Sequence, residues 1–217
     1  LKVVELKTMV VENEEPYIGG KWLLFLELIT DEGISGLGER ITGGSYSRDL
    51  GALQSQVKLI EELVGQYVIG EDPTRIERIW DRMYASRHDF RHPSLYATPV
   101  ISAIDMALWD IKGKALGVPV YELLGGPTRT RVRVYAHAST PEMIRQRSAE
   151  GFTAFKTGVF KHRPARIIET PGFVKRVARR FEDLREAAGD ERDIAIDFHG
   201  AISPQTAKLL IKALEPY

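Results

Sequence analysis

Asp197 and His199 are the residues of this 217-residue chain whose types and spacing point most directly to chemistry. They follow the apolar run Ile194–Ile196, which is typical of a strand buried on both faces of a parallel sheet. At positions i and i+2 of an extended backbone, both side chains point to the same side. Parallel α/β folds bind ligands at the carboxyl ends of their strands. A carboxylate and an imidazole there can hold a hard cation and move a proton, so the segment predicts an enzyme active site.

The composition restricts the classes of partner and cofactor. Lys and Arg together number 30, as do Asp and Glu, so the formal net charge is zero and we expect neither a nucleic-acid nor a membrane partner. No apolar run approaches the roughly 20 residues that span a bilayer, and the amino-terminal residues are typical of a strand rather than a signal peptide. The chain contains no cysteine, which excludes disulfides and thiolate metal sites and favours a cytoplasmic location.

Two different patterns of elements divide the sequence. The first part predicts three antiparallel strands followed by three amphipathic helices, which is an α+β arrangement. Its strands are expected at residues 2–11, 22–30 and 34–39, and its helices at about 48–65, 73–86 and from 94 onward. The second part alternates strands with helices and so predicts parallel βα units. Its strands are expected at residues 132–136, 153–157 and 194–198, and its helices at 141–150, 171–188 and 204–214.

A 26-residue stretch, Ile101–Gly126, closely resembles the helix and turn that join the two domains of the enolase superfamily, in its mandelate racemase/muconate lactonizing enzyme branch. The resemblance implies an α/β fold with an α+β capping domain at residues 1–125. The first three βα units of a (β/α) TIM-like barrel follow at residues 126–217, with the barrel incomplete in this chain. Within that branch, residues 197–200 and 207–217 resemble galactonate dehydratase and related acid-sugar dehydratases.

The resemblance implies a role for each matching residue. Asp197 matches the first of three carboxylates that bind Mg²⁺, and His199 matches the histidine that protonates the departing hydroxyl. Lys156 matches the first lysine of the Lys-x-Lys pair used by racemases, whereas Gly158 stands where the second lysine would be. The base on that strand is therefore missing, which argues against racemisation or epimerisation.

Substrate contacts are expected from both domains. Two loops match the capping-domain loops that close over substrate, and they carry the candidate substrate-binding residues Tyr17, Lys21 and Tyr46. His137 ends the first predicted barrel strand and is a fourth candidate, with a structural histidine as the alternative. The basic loop at residues 161–166 could also meet substrate, although exposed basic loops are common.

The function implied is that of a Mg²⁺-dependent dehydratase that converts an aldonate into a 2-keto-3-deoxy acid by removing the alpha proton and expelling the β-hydroxyl. Mg²⁺ prefers carboxylate oxygens and stabilises charge developing on the substrate, and a histidine can donate a proton near neutral pH. Lys156 would bind the substrate carboxylate or add positive charge. A small-molecule sugar acid and a symmetric homo-oligomer are the expected partners.

Other interpretations remain open. The first is a racemase, epimerase or cycloisomerase of the same superfamily, and the second is a non-catalytic remnant that needs a partner chain. Asp197 could instead cap a loop, and Lys156 could be a structural partner of a nearby carboxylate. A complete barrel takes about 250 residues, and the family's remaining metal ligands and alpha-proton base belong to later strands. We therefore expect a truncated or incompletely represented chain that is inactive alone.

Overall fold

The computed structural model describes residues 1–15, 20–40, 49–92, 94, 96–160 and 167–217. The chain divides into two compact units, Leu1–Thr128 and Arg129–Tyr217. No helix in the described part of the chain is both long and apolar enough to cross a membrane.

The first unit packs helices on one face of an antiparallel sheet with the strand order β1-β2-β3. Its elements are β1 (Val3–Glu12), β2 (Trp22–Thr30), β3 (Ser35–Arg40), α1 (Leu50–Tyr67), α2 (Ile76–Ala85), α3 (Thr98–Leu116) and α4 (Val120–Leu123). Alternate residues of β2, Leu24, Leu26 and Leu28, are fully buried in the core between the sheet and the helices. All six predicted elements are present, but α3 begins at Thr98 rather than near Ser94.

Two glycines allow β3 to lie directly against α3. A Cβ atom added at Gly38 would lie 1.9 Å from the carbonyl oxygen of Ala103, and one added at Gly36 would lie 2.0 Å from that of Ala107. Only a residue without a side chain fits at such distances, because the atoms that a Cβ would meet belong to the backbone of α3. The Gly-Leu-Gly alternation of β3 therefore determines how closely the strand and the helix pack.

The second unit contains a parallel sheet with the strand order β4-β5-β6. Its elements are β4 (Ala136–His137), α5 (Pro141–Ala149), β5 (Ala154–Gly158), α6 (Phe173–Ala188), β6 (Asp193–Asp197) and α7 (Pro204–Leu214). The register pairs His137 with Lys156 and Gly158 with Asp197. The predicted alternation of strands and helices is confirmed, and the pairing brings the carboxyl ends of the three strands to one edge.

The prediction of a strand at residues 132–136 was wrong in extent, because β4 has only two residues. The side chain of Arg133, rather than a backbone ladder, connects this segment to the residue before β5 and to the first residue of β6. Its Nη2 donates to the carbonyl oxygen of Thr153 at 2.8 Å, and its Nη1 lies 2.6 Å from Oδ2 of Asp193. Val132 and Val134 have high strand propensity, but no neighbouring strand pairs with them among the described residues.

Candidate active site at the strand ends

A cavity of about 240 Å³ opens at the carboxyl ends of β4, β5 and β6. It is lined by His137, Lys156, Thr157, Gly158, Val159, Phe160, Ile167, Asp197, Phe198, His199 and Ala201. Four candidate residues from the sequence therefore meet here: His137, Lys156, Asp197 and His199. His137, Lys156 and Asp197 belong to three strands whose ends parallel pairing aligns, and His199 follows the third strand by two residues.

Asp197 and Lys156 form an ion pair at the centre of this group. Nζ of Lys156 lies 2.9 Å from Oδ2 of Asp197, and both side chains are partly exposed. The Lys156 ammonium, followed by the backbone N–H of His199, lowers the pKa of Asp197 to about 2. The same contact raises the pKa of Lys156. Asp197 is therefore ionised and Lys156 protonated throughout the neutral pH range. The pairing of Lys156 with a nearby carboxylate, which the sequence left open as an alternative, is present in the structure.

His199 reaches Asp197 through a tight turn, not along an extended strand. Strand β6 ends at Asp197, and His199 has a left-handed backbone with φ +50°, followed by Gly200 with φ +64°. The turn lets the His199 N–H donate to Oδ1 of Asp197 at 2.7 Å and places Nδ1 3.5 Å from Oδ2. The extended-backbone argument was therefore wrong for His199, although the two side chains do lie together. A left-handed histidine carries backbone strain of about 1 kcal/mol or more.

Glu169 holds the far end of the loop that carries His199. Its carboxylate accepts hydrogen bonds from the Ser203 backbone N–H at 2.6 Å, from the Ser203 hydroxyl at 2.7 Å and from the Thr206 hydroxyl. These hydrogen bonds lower the pKa of Glu169, and the bond from Thr206 contributes most. Ser203 before Pro204 identifies the start of a helix in the sequence, but it does not indicate a partner 34 residues earlier. Sequence reasoning missed Glu169 for that reason.

Asp197 provides one oxygen ligand of the kind that Mg²⁺ prefers. Its two oxygens already accept hydrogen bonds from His199 and Lys156. The described residues contain no group of three His, Asp or Glu side chains arranged to hold a metal ion. Asp197 therefore fits as a single ligand, and the described residues do not complete a metal site.

The capping-domain candidates stay predictions. Lys21 belongs to the first unit, where its Nζ lies 3.3 Å from Oε1 of Glu12 and 5.4 Å from the ring centre of Trp22. Tyr17, Tyr46 and the basic loop at residues 161–166 lie outside the described residues.

Removing the Lys156 ammonium should raise the pKa of Asp197. In Lys156→Met we expect a value between about 2 and the ordinary 3.8, because the His199 N–H still donates to the carboxylate. A carboxyl group whose pKa is lower in the folded state than in the unfolded state stabilises the fold when the pH is above the unfolded-state pKa. This contribution is lost as the pH falls towards the folded-state pKa of about 2. Between pH 3.8 and about 2, the free energy of unfolding of the second unit should therefore change less with pH in Lys156→Met than in the parent protein. Carboxyl ¹³C NMR titration measures the shift.

The control for this titration is Lys175→Met, which removes an exposed lysine from α6. It should leave the Asp197 titration unchanged. An Asp197 titration in Lys156→Met that matches the parent protein would contradict the assigned cause of the lowered pKa.

Comparison with known proteins identifies the family of the chain. Residues 17–125 match the family described as "Mandelate racemase / muconate lactonizing enzyme, N-terminal domain", and residues 140–217 match "Enolase C-terminal domain-like". The chain therefore belongs to the mandelate racemase/muconate lactonizing enzyme family of the enolase superfamily. This confirms the family that Ile101–Gly126 predicted.

The similar relatives by sequence include dehydratases. The chain is 39% identical over 203 residues to D-galactonate dehydratase of Xanthomonas oryzae pv. oryzae (strain PXO99A). It is 40% identical over 201 residues to D-galactonate dehydratase of Verminephrobacter eiseniae (strain EF01-2). These matches cover 91% and 90% of this chain but 50% and 49% of the relatives. The chain thus spans about half the length of the curated relatives it matches.

Solved structures of the family share the fold along the whole chain. An enolase from Agrobacterium radiobacter, with Na and L-malate bound, superposes with a TM-score of 0.83 at 32% identity, over 100% of this chain and 53% of that chain. A mandelate racemase/muconate lactonizing enzyme from Jannaschia sp. CCS1 gives a TM-score of 0.84 at 28% identity, over 100% and 59% of the two chains. The architecture is therefore that of the enolase superfamily, with an N-terminal capping domain.

Proposed function

We propose that this chain belongs to a Mg²⁺-dependent acid-sugar dehydratase that converts an aldonate into a 2-keto-3-deoxy acid. The observation that carries the proposal is the convergence of Asp197, Lys156 and His199 on one cavity at the strand ends. The similarity to D-galactonate dehydratases supports an acid-sugar substrate. Because the chain spans half of those relatives, the activity is proposed for the complete protein.

His199 is the proposed general acid. Its imidazole is 69% exposed at the cavity, so a bound substrate can reach it. Oδ2 of Asp197 lies 3.5 Å from Nδ1 of His199, so Nε2 is the ring nitrogen that is proposed to donate the proton to the substrate. As the β-carbon–oxygen bond breaks, the hydroxyl takes the proton of His199 and leaves as water. The alpha proton goes to a base outside the described residues.

Lys156 is proposed to bind the substrate carboxylate, since it lines the cavity and is protonated at neutral pH. Mg²⁺ with Asp197 as one of its ligands supplies further positive charge at that carboxylate. The bound Na and L-malate of the Agrobacterium radiobacter enolase are in keeping with a cation and an organic acid as ligands.

A panel of aldonates tests this function. The protein expressed from its complete gene is incubated with Mg²⁺ and D-galactonate, D-gluconate or D-mannonate, and the 2-keto acid product is detected as its semicarbazone. We expect product from at least one aldonate and its loss when the metal is chelated. The absence of product from every aldonate would overturn the assignment as a dehydratase.

Restoring a second lysine on β5 should change the reaction. A Cβ added at Gly158 lies 3.8 Å from the nearest atom, the carbonyl oxygen of Phe160, so a Cβ fits at this position without a clash. In Gly158→Lys the new ammonium lies on the same face as Lys156, because the two positions are i and i+2 of a strand. We expect exchange of the substrate alpha hydrogen with deuterated water to rise by about 10²-fold, the effect of a positioned base.

The matched control is Gly158→Met, which fills the same space without a titrating group. Both variants should slow dehydration by occupying the cavity. Equal exchange rates in the lysine and methionine variants would show that position 158 cannot serve as a base.

A further inference from the structure

Arg180 on α6 lies behind the wall of the cavity and has no role in the chemistry proposed above. Its Nη1 donates to the carbonyl oxygen of Gly158 at 3.0 Å. Its Nη2 donates to the carbonyl oxygen of Ser139 at 3.0 Å and to the Thr157 hydroxyl at 2.7 Å. Thr157 and Gly158 end β5, and Ser139 lies two residues beyond the end of β4. One guanidinium therefore fixes the ends of two neighbouring strands.

The described residues provide no local counter-charge for Arg180. Its three acceptors are uncharged, and it makes no ion pair with any carboxylate in the described part of the chain. Residues 161–166, which lie outside that part, contain no Asp or Glu. Burial lowers the pKa of the Arg180 guanidinium, as expected for a cation held partly away from water. Such a cation is costly to bury unless an anion comes close to it.

The described side chains that line the cavity in front of Arg180 include one lysine and one carboxylate. Lys156 and Asp197 line it as an ion pair with no net charge. Thr157 and Gly158, which both hydrogen bond to Arg180, also form part of the lining. Thr157 is fully buried, so little water lies between the guanidinium and this wall to screen the charge. Arg176 also makes no ion pair among the described residues, but its Nη2 donates to the Thr170 hydroxyl, which does not line the cavity. Arg180 is therefore the described unpaired cation that is bonded to the cavity wall.

We propose that Arg180 is a positioning residue that makes this cavity selective for an anion. It holds the ends of β4 and β5, which carry His137 and Lys156, and its charge favours a carboxylate over an uncharged polyol of the same shape. The identification of that anion as a sugar acid rests on the proposed function. The anion selectivity itself follows from the charge and placement of Arg180.

Isothermal titration calorimetry with D-galactonate and with galactitol, its uncharged counterpart, tests the proposal. The protein expressed from its complete gene is compared with Arg180→Met, which removes the charge, and Arg180→Lys, which keeps it without the planar fork. The control is Arg179→Met, because Arg179 is the neighbouring arginine of α6 and is exposed. Thermal unfolding of each variant verifies that the fold is retained.

We expect Arg180→Met to weaken galactonate binding by about tenfold or more, which is the effect of removing one poorly screened charge near the bound anion. Arg180→Lys should remain within about threefold of the parent protein, and Arg179→Met should be unchanged. Galactitol should bind all four proteins equally weakly. In turnover assays the loss in Arg180→Met should fall on KM more than on kcat, because the charge acts on the bound anion in the ground state and the transition state alike.

The outcomes separate this proposal from the proposed function. Galactonate binding that depends on Arg180, without dehydration of any aldonate in the panel, would keep the anion site and overturn the dehydratase. Dehydration with equal galactonate affinity in Arg180→Met and Arg179→Met would keep the dehydratase and overturn the role of Arg180. If the parent protein binds galactonate no better than galactitol, anion selectivity is overturned directly. If Arg180→Met does not fold, a tenfold loss in Arg180→Lys relative to Arg179→Met would contradict the role of the charge.

Discussion

Replacing His199 with asparagine is expected to lower the rate of aldonate dehydration by about 10²–10⁴-fold, the usual contribution of a positioned general acid. Asparagine is the informative choice because residue 199 has a left-handed backbone, and asparagine tolerates that conformation better than most residues. The backbone N–H that donates to Asp197 is then retained. The loss therefore reports the missing imidazole rather than a displaced loop.

Two measurements accompany this variant. Substrate affinity and Mg²⁺ affinity should both stay close to those of the parent protein, since Asp197 and Lys156 are untouched. His88→Asn is the matched control, because His88 is an exposed histidine of the first unit. Unchanged turnover in His199→Asn would remove His199 from the mechanism.

The largest effect on stability is expected from Gly38→Ala. A Cβ atom at this position would lie 1.9 Å from the carbonyl oxygen of Ala103, which is backbone and cannot rotate away. Either β3 or α3 must shift, and we expect the free energy of unfolding of the first unit to fall by about 3 kcal/mol. The three tryptophans of the 217-residue chain, Trp22, Trp80 and Trp109, all belong to this unit, so denaturation of this chain followed by tryptophan fluorescence reports on the first unit.

Gly65→Ala is the control for this measurement. Gly65 is an exposed residue of α1, and an added Cβ meets no atom within 4 Å. Because alanine is the better helix former, the free energy of unfolding should rise by about 0.5–1 kcal/mol. If Gly38→Ala is as stable as the parent protein, the close approach of β3 to α3 is not as described.

The sequence predicted those parts of the site that depend on local pattern. The apolar run before Asp197 identified a strand, and its end identified the rim where ligands bind. The prediction that this strand is buried on both faces was wrong, because β6 lies at the edge of the described sheet and none of its residues is buried. The alternation of elements after residue 126 predicted parallel pairing, which places Lys156 and His137 near Asp197. Each of these inferences uses neighbouring residues only.

The remaining features depend on contacts between distant residues. The segment around Arg133 has the composition of a strand, but the Arg133 side chain bonds to Thr153 where a backbone ladder was predicted. Arg180 bonds to Ser139, 41 residues earlier, and nothing in an amphipathic helix distinguishes it from the exposed Arg179. The left-handed turn at His199 is likewise not encoded in a recognised short pattern.

The most direct test of the central claim is an NMR experiment with D-galactonate in deuterated water. The protein expressed from its complete gene and Mg²⁺ are added, and the alpha and β positions of the sugar acid are followed with time. We predict loss of the substrate signals and growth of a 2-keto-3-deoxy acid, without prior deuterium exchange at the alpha carbon of unreacted substrate. Alpha-hydrogen exchange or epimerisation without net dehydration would contradict the account and assign the site to a racemase or epimerase.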